Sequence, residues 1–334
     1  MTAPLAEYRA GLPPGALAGR IVVFTVPALG DPIPAALAPA GHAFATADLA
    51  AVDRRLTTDH WYQVNYATRF GRLGALARES GAAGALVVFD MGAARAAGIY
   101  TFPLLEAGEV GVPGLYLDRA AGATVLAAAR AGRSATLRLV AGRGTAEVWF
   151  LSGVLPGRDH GTARDEEVLL VTHTDGPNLT QENGALGIVA MVRSLARTPR
   201  AARRRSVRVL LDPQHYAPGR HLVDWYARHP AETARIVASV GVEQLGQREY
   251  VERGDRFEPT GAPETTILFT QDNPQLVDWA VAAIRGYGLP RTELRVPARG
   301  GQGRWFGLGD VAVSRRWPGY GSNTEMSAYW STRP

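Results

Sequence analysis

Apolar residues change their spacing about halfway along the chain. In the first half they come in short β-branched runs at 20–26 (RIVVFTV), 84–89 (GALVVF), 112–116, 135–140 and 146–151, each read as a strand. Between them, 70–82 carries Leu73, Leu76 and Ala77 at helical spacing, and a second helix is read at 120–131. This predicts a β-rich module with one or two packed helices over 1–145. From 146 to 334 the rhythm differs. Strands at 167–172 (EVLLVT), 206–211, 236–240 (a strand or the end of a helix), 266–270 and 311–314 alternate with amphipathic helices at 184–197, 221–228 and 274–285. In the first of these helices Leu186, Val189, Met191, Val192 and Leu195 are apolar. Such alternation predicts an α/β domain around a mostly parallel sheet, whose functional groups gather on loops at the carboxyl ends of the strands.

Composition then narrows the chemistry. With 46% hydrophobic and 20% charged residues, the 334-residue chain is globular and fits one large domain or two ordinary ones. It has no Cys and no Lys, so all 36 basic residues are Arg. That excludes a thiol nucleophile, disulfides, cysteine-held metal clusters, a Schiff base and a phosphate-binding lysine. What is left is His, carboxylate, hydroxyl, amide and Arg chemistry. The net charge is +5. One basic run, Arg200, Arg203, Arg204, Arg205 and Arg208, lies between a helix pattern and a strand pattern without interleaved aromatics, so it reads as a solvated connector and not a nucleic-acid patch. Asp159, Asp165, Glu166 and Glu167 read as a similar connector. No secretory leader and no apolar run of membrane-spanning length is visible, which sets the expectation of a cytoplasmic protein with a small-molecule substrate and no membrane or nucleic-acid partner.

Three loops follow strands of the second half. The first, Thr172-His173-Thr174-Asp175-Gly176, puts a His and an Asp two residues apart behind a fully apolar strand, which points to a pocket. The second is Asp212-Pro213-Gln214-His215-Tyr216, and the third is Val242-Glu243-Gln244-Leu245-Gly246. A carboxylate set among Val and Leu is either paired or functional. His42, His60, His160 and His229 read as ordinary satisfied histidines, and the Trp residues as core, with Trp305 and Trp317 the two to watch near a pocket.

In order and spacing these segments resemble the zinc aminopeptidases that carry a protease-associated domain, a family that includes glutaminyl cyclases and transferrin-receptor-like proteins. EVLLVTHTDG is similar to the family's strand ending in His-x-Asp, and QENGALGIVAMVRSLA to its helix-opening segment. SVRVLLDPQHYAPGRHL takes the place of the strand and glycine loop, while VGVEQLG and YGSNTEMS take the last two motif positions. GRIVVFTVP, ALARESGAAGALVVF and VPGLYLDRAAGATVL look like the protease-associated domain. The resemblance implies an aminopeptidase-like α/β sandwich with a mostly parallel sheet, plus a β-rich protease-associated domain.

The departures from the family pattern are chemical. Counting from Gly187, Asn183 stands where the family has its metal-bridging Asp. Counting from Gly219, Pro213 and Gln214 stand where it has the general-base and metal-ligating Glu. Asn323 replaces the terminal His, and Glu243 replaces an Asp. Amides are weak zinc donors, and zinc needs three or four anionic or imidazole ligands. The expectation is therefore a site without metal or other cofactor, in which His173, Asp175, Glu243 and His215 do acid/base chemistry and Glu182, Asn183, Gln214, Tyr216, Trp305 and Asn323 contact substrate. The reactions that suit it are cyclisation, elimination or isomerisation of a small amine- or amide-bearing molecule. The alternatives are a divergent zinc aminopeptidase or hydrolase, with a single zinc on His173, Glu243 and a shifted Glu182 or His215, and a catalytically inactive binding protein.

Overall fold

The computed structural model describes residues 1–13, 15–26, 40–51, 73–97, 111–140, 142, 144–145, 147–175, 179–213, 221–243, 245–246, 248–297 and 317–324. The first half supplies β1 (Thr2–Glu7), β2 (Ile21–Val26), β3 (Ala40–Ala45), the helical residues 73–79 (α1), β4 (Gly84–Phe89), α2 (Ala93–Ala96), β5 (Gly114–Leu117), α3 (Arg119–Arg130) and β6 (Ser134–Thr136). Five of its strands form a sheet in the order β5-β4-β2-β1-β6, parallel except where β6 joins. Central parallel strands are covered on both faces, and so β4 is apolar and buried throughout, and β2 everywhere but at the exposed Thr25. Val22, Phe24, Val87 and Phe89 pack with Ala77 on one side, while Ile21, Val23, Leu86 and Val88 pack toward Val125 and Leu126 of α3 on the other. The Asp118 carboxylate caps α3 by accepting from the amides of Ala120 and Ala121.

The second half supplies β7 (Leu151–Leu155), β8 (Glu167–His173), α4 (Leu179–Ala196), β9 (Ser206–Asp212), α5 (His221–Arg228), α6 (Pro230–Arg235), β10 (Ile236–Gly241), β11 (Arg248–Arg253), β12 (Arg256–Pro263), β13 (Thr266–Thr270), α7 (Pro274–Gly286), β14 (Thr292–Pro297) and β15 (Gly319–Thr324). The large sheet runs β3-β14-β13-β15-β10-β8-β9-β7. Its middle, β15-β10-β8-β9, is parallel; β7 and β3 close the two edges antiparallel. β3 therefore lies in the large sheet although it comes from the first half of the sequence. Helices cover both faces. Leu169, Val171 and Leu210 pack with Leu222, Trp225 and Tyr226 of α5, whereas Leu170 and Val207 pack with Ile188 of α4. Among the described residues, no helix is long and apolar enough to cross a membrane.

Several boundaries move from their sequence positions. α4 starts at Leu179, ahead of the expected 184, because Gly184 sits inside the helix instead of opening it. The run expected at 146–151 becomes a strand only from Leu151, and 135–140 shortens to Ser134–Thr136. The strand expected at 311–314 lies outside the described residues. The hairpin β11–β12, β1, β3, β14 and β15 went without a sequence signal, being polar or rich in small residues. Trp317 belongs to the core, edge-on to Tyr226 at 5.5 Å between ring centres.

The expectation of two solvated connectors holds for Arg200, Arg204 and Arg205, which are exposed, and is corrected for other members at the opposite end of the sheet. Glu167, at the start of β8, is wholly buried, and its carboxylate accepts from Arg208 through both oxygens and from Arg235 at 3.1 Å. Arg208 is buried too and lies 5.3 Å from the centre of the Trp225 ring. Asp165 accepts from Ser206 and pairs with His160 at 3.2 Å. Arg200 and Arg203 donate to backbone carbonyls of Gly157, Pro156 and Leu195. Charge density in the sequence suggested solvent; tertiary pairing supplied counter-charges that make burial tolerable.

Candidate functional site

β8 delivers His173 to the carboxyl edge of the sheet on the face that carries Leu169 and Val171, because strand side chains alternate with a period of two. The imidazole is 4% exposed and sits between two acids. Its Nε2 is 3.1 Å from Oε1 of Glu243, and its Nδ1 is 3.3 Å from Oδ1 of Asp175. Burial works against the charged ring. Contact with Asp175 and the hydrogen bond to Glu243, with the charge of both carboxylates, outweighs it and raises the His173 pKa to about 10. At neutral pH the ring is therefore held as an imidazolium.

Glu243 reaches His173 because the loop after β10 is fixed from two sides. Its amide donates to the Ser322 hydroxyl at 3.0 Å, and that hydroxyl donates to the Glu243 carbonyl at 2.7 Å, tying the loop to β15. On the other side Asn183 in α4 accepts from the Leu245 amide at 2.8 Å and donates to the Gly246 carbonyl at 3.2 Å. Both ends of the Asn183 amide thus hold the loop that carries Glu243. The helix can come this near because Gly184 and Gly187 lack side chains. A Cβ on Gly184 would stand 2.1 Å from the Val242 carbonyl oxygen and 2.5 Å from Oγ1 of Thr172. Replacing Gly184 with alanine is expected to destabilise the protein by about 1–3 kcal/mol, since backbone and not a flexible side chain blocks the new atom. Chemical unfolding of the variant checks it; unchanged stability would show that α4 is free to retreat.

The structure brings His173, Asp175 and Glu243 together. Glu182 lies in the first turn of α4, next to Asn183. Asn323 pairs through its backbone with Ile267 and stands two residues beyond Gly321, the β15 partner of Gly241, which places it at the same end of the sheet. Gln214, His215, Tyr216 and Trp305 lie outside the described residues. Sequence reasoning passed over a second pair at this edge. Asp212 ends β9 in register with His173, and its Oδ1 is 3.6 Å from Nδ1 of His221, the first residue of α5. The sequence signal was an acid at the end of an apolar strand, but nothing in the sequence links it to a His nine residues on.

His173 and Glu243 are two donors, and the Asp175 carboxylate is engaged with the other ring nitrogen, while Asn183 is committed to the loop backbone. Among the described residues no three His, Asp or Glu side chains form a group that could hold a metal ion. A two-metal peptidase centre does not fit these residues.

No protein-family model and no curated protein sequence matches the chain. Solved structures do. A peptidase M28 precursor from Shewanella amazonensis aligns over 99% of this chain and 66% of its own length, with a TM-score of 0.57 and 13% identity. A zinc aminopeptidase from Bacillus subtilis aligns over 100% of this chain and 69% of its own, with a TM-score of 0.55 and 12% identity. At that identity the likeness concerns the backbone alone. The chain has a mixed α/β fold with large parallel-rich sheets, and its structural neighbours are M28 peptidase and zinc aminopeptidase folds.

Proposed function

We propose that this protein is a metal-independent enzyme that carries out acid/base chemistry on a small amine- or amide-bearing substrate, of the cyclisation, elimination or isomerisation kind. The observation that carries the reading is the imidazole held between two carboxylates, 3.1 Å from Glu243 and 3.3 Å from Asp175. His173 is the acid: as an imidazolium it donates a hydrogen bond or a proton to a carbonyl or leaving group. Asp175 orients the ring. Glu243 keeps it charged and offers the anionic side for a substrate ammonium. We also read 1–145 as a protease-associated-like module and 146–334 as the peptidase-like domain, with β3 the strand that the first contributes to the second.

One observation favours a second reading, a divergent zinc hydrolase. Two ligands of a tetrahedral zinc stand about 3.3 Å apart, close to the 3.1 Å between Nε2 of His173 and Oε1 of Glu243. Elemental analysis of the purified protein, paired with assays on aminoacyl anilides in chelator, separates the two. The expected result is less than stoichiometric zinc and no anilide cleavage. One tightly bound zinc per chain with chelator-sensitive cleavage would replace the first reading by the second. A screen of amine- and amide-bearing metabolites then supplies a substrate. On that substrate Asp175→Asn is expected to cost less than Glu243→Gln, because it removes only the orienting charge.

A further inference from the structure

We propose that this protein associates with a second copy of itself through the outer face of α7. The inner face of that helix carries Leu276, Ala280 and Ile284 into the core, where Leu294 of β14 and Tyr320 of β15 pack with it. On the opposite face Gln275, Trp279, Ala282 and Gly286 follow one another at intervals of four, three and four residues, and all are exposed. That is the seam spacing of two helices packed along their lengths. Trp279 leaves 58% of its surface in solvent, and Tyr287, just past the last turn, leaves 84%. Single exposed apolar residues are ordinary, but two large aromatics on one helix face form a patch.

Charge selects the occupant. Asp278 and Arg285 are exposed on one flank of this face, two turns apart. At about 10 Å along the helix axis they are too far apart to pair with each other. Among the described residues neither has an ion-pair partner, and the Arg285 guanidinium lies over the Phe44 ring at 5.2 Å. When two α7 helices pack antiparallel about a two-fold axis, each flank meets its own copy in reversed order. Asp278 of one copy then stands beside Arg285 of the second copy, and the contact occurs twice. One residue out of that register, Trp279 lies over Gly286 of the second copy, where a Cβ would meet nothing within 4 Å and an indole finds room. A parallel pair would set the charged flank against Ala283 and Tyr287 and leave both charges without a partner. α7 covers the sheet face of Tyr320, Val240 and Leu170, the face opposite His173, so the pairing and the candidate site are on different sides. The two aromatics, at roughly 150–250 Å² each when fully buried, and the small residues between them give on the order of 400 Å² per copy, about half of a standard interface. Such a dimer is weak and reversible.

Sedimentation equilibrium of the full-length protein tests it, over concentrations from about 1 to about 500 µM. The expected result is a reversible monomer–dimer equilibrium with a Kd on the order of 10–100 µM, as suits an interface at the small end of the range. Trp279→Glu, at an exposed position, should raise that Kd at least about tenfold, because the indole is the central anchor. Asp278→Arg and Arg285→Asp should each do the same, since each sets like charges together at both contacts. Mixing those two variants in equal amounts should restore the dimer, because the mixed pair is complementary at both contacts. Loss of folding cannot imitate that recovery. A wild-type protein that stays monomeric at about 500 µM overturns the proposal and leaves the face to a different partner. A dimer whose Kd the three variants leave unchanged, or a mixture that stays monomeric, overturns it too.

Discussion

His173→Ala is expected to abolish turnover and to lower stability at neutral pH by about 3–5 kcal/mol, the usual cost of stranding a buried charge whose partner is removed. Two carboxylates are stranded here, Glu243 at 3% exposure and Asp175 beside it. The pH dependence gives the result its signature. The folded pKa of His173 is about 10, above its ordinary 6.5. A raised folded pKa means the imidazolium contributes its full stabilisation below the unfolded value and loses it as pH rises through the folded one. The gap between wild type and His173→Ala should thus be widest near pH 6 and should shrink as pH approaches 10. Guanidinium unfolding at those two pH values measures it. A gap that is constant with pH would mean that the ring acts through packing and not through its charge. Adding Glu243→Gln to His173→Ala should recover part of the loss, because one stranded charge is then removed.

Arg208→Met should cost a comparable amount, about 3–5 kcal/mol, at the opposite pole of the sheet. Glu167 has no exposed surface and accepts from Arg208 with both oxygens. Arg235 stays at 3.1 Å but is about a third exposed and reaches one oxygen only. The guanidinium also lies over Trp225, a contact worth up to about 2 kcal/mol when desolvated. The double replacement Arg208→Met with Glu167→Leu removes the buried charge as well as its partner. It is expected to be more stable than Arg208→Met alone, since apolar replacement of a buried pair is often neutral or favourable. Urea unfolding of the three proteins is the measurement. If Arg208→Met loses less than about 1 kcal/mol, then Arg235 suffices to neutralise Glu167, and the pair behaves as an exposed one does.

These two poles show where sequence reasoning reaches. Apolar strands such as 84–89, 167–173 and 206–212 were legible because a strand covered on both faces must be apolar almost throughout, and that needs no knowledge of its neighbours. The helices at 221–228 and 274–286 were legible for the same kind of reason, through their one-sided apolar spacing. The loop residues His173, Asp175 and Glu243 could be selected because each ends or follows such a strand, and strand ends share one edge of a parallel sheet. β14 and β15 left little trace, since TELRVP and GYGSNT gain their strand character from hydrogen bonding to β13 and β10 and not from their own side chains.

What the sequence by itself determined was the set of available chemistries, with no thiol and no lysine amine, and the α/β rhythm that places a His-x-Asp loop at a strand exit. Only the tertiary structure decided what those groups are. Glu243 lies 70 residues from His173 in the chain, yet the parallel register of β8 and β10 sets it 3.1 Å from the ring, where it helps to hold the imidazole as a cation. The same register places Asp212 beside His173, and α5 brings His221 to it. Glu167 and Arg208 looked like surface charge until the pairing of β8 with β9 enclosed them together. The physical reason is common to all three cases. A side chain's ionisation depends on the charges and water within a few ångströms of it, and those neighbours are chosen by strand pairing rather than by position along the chain.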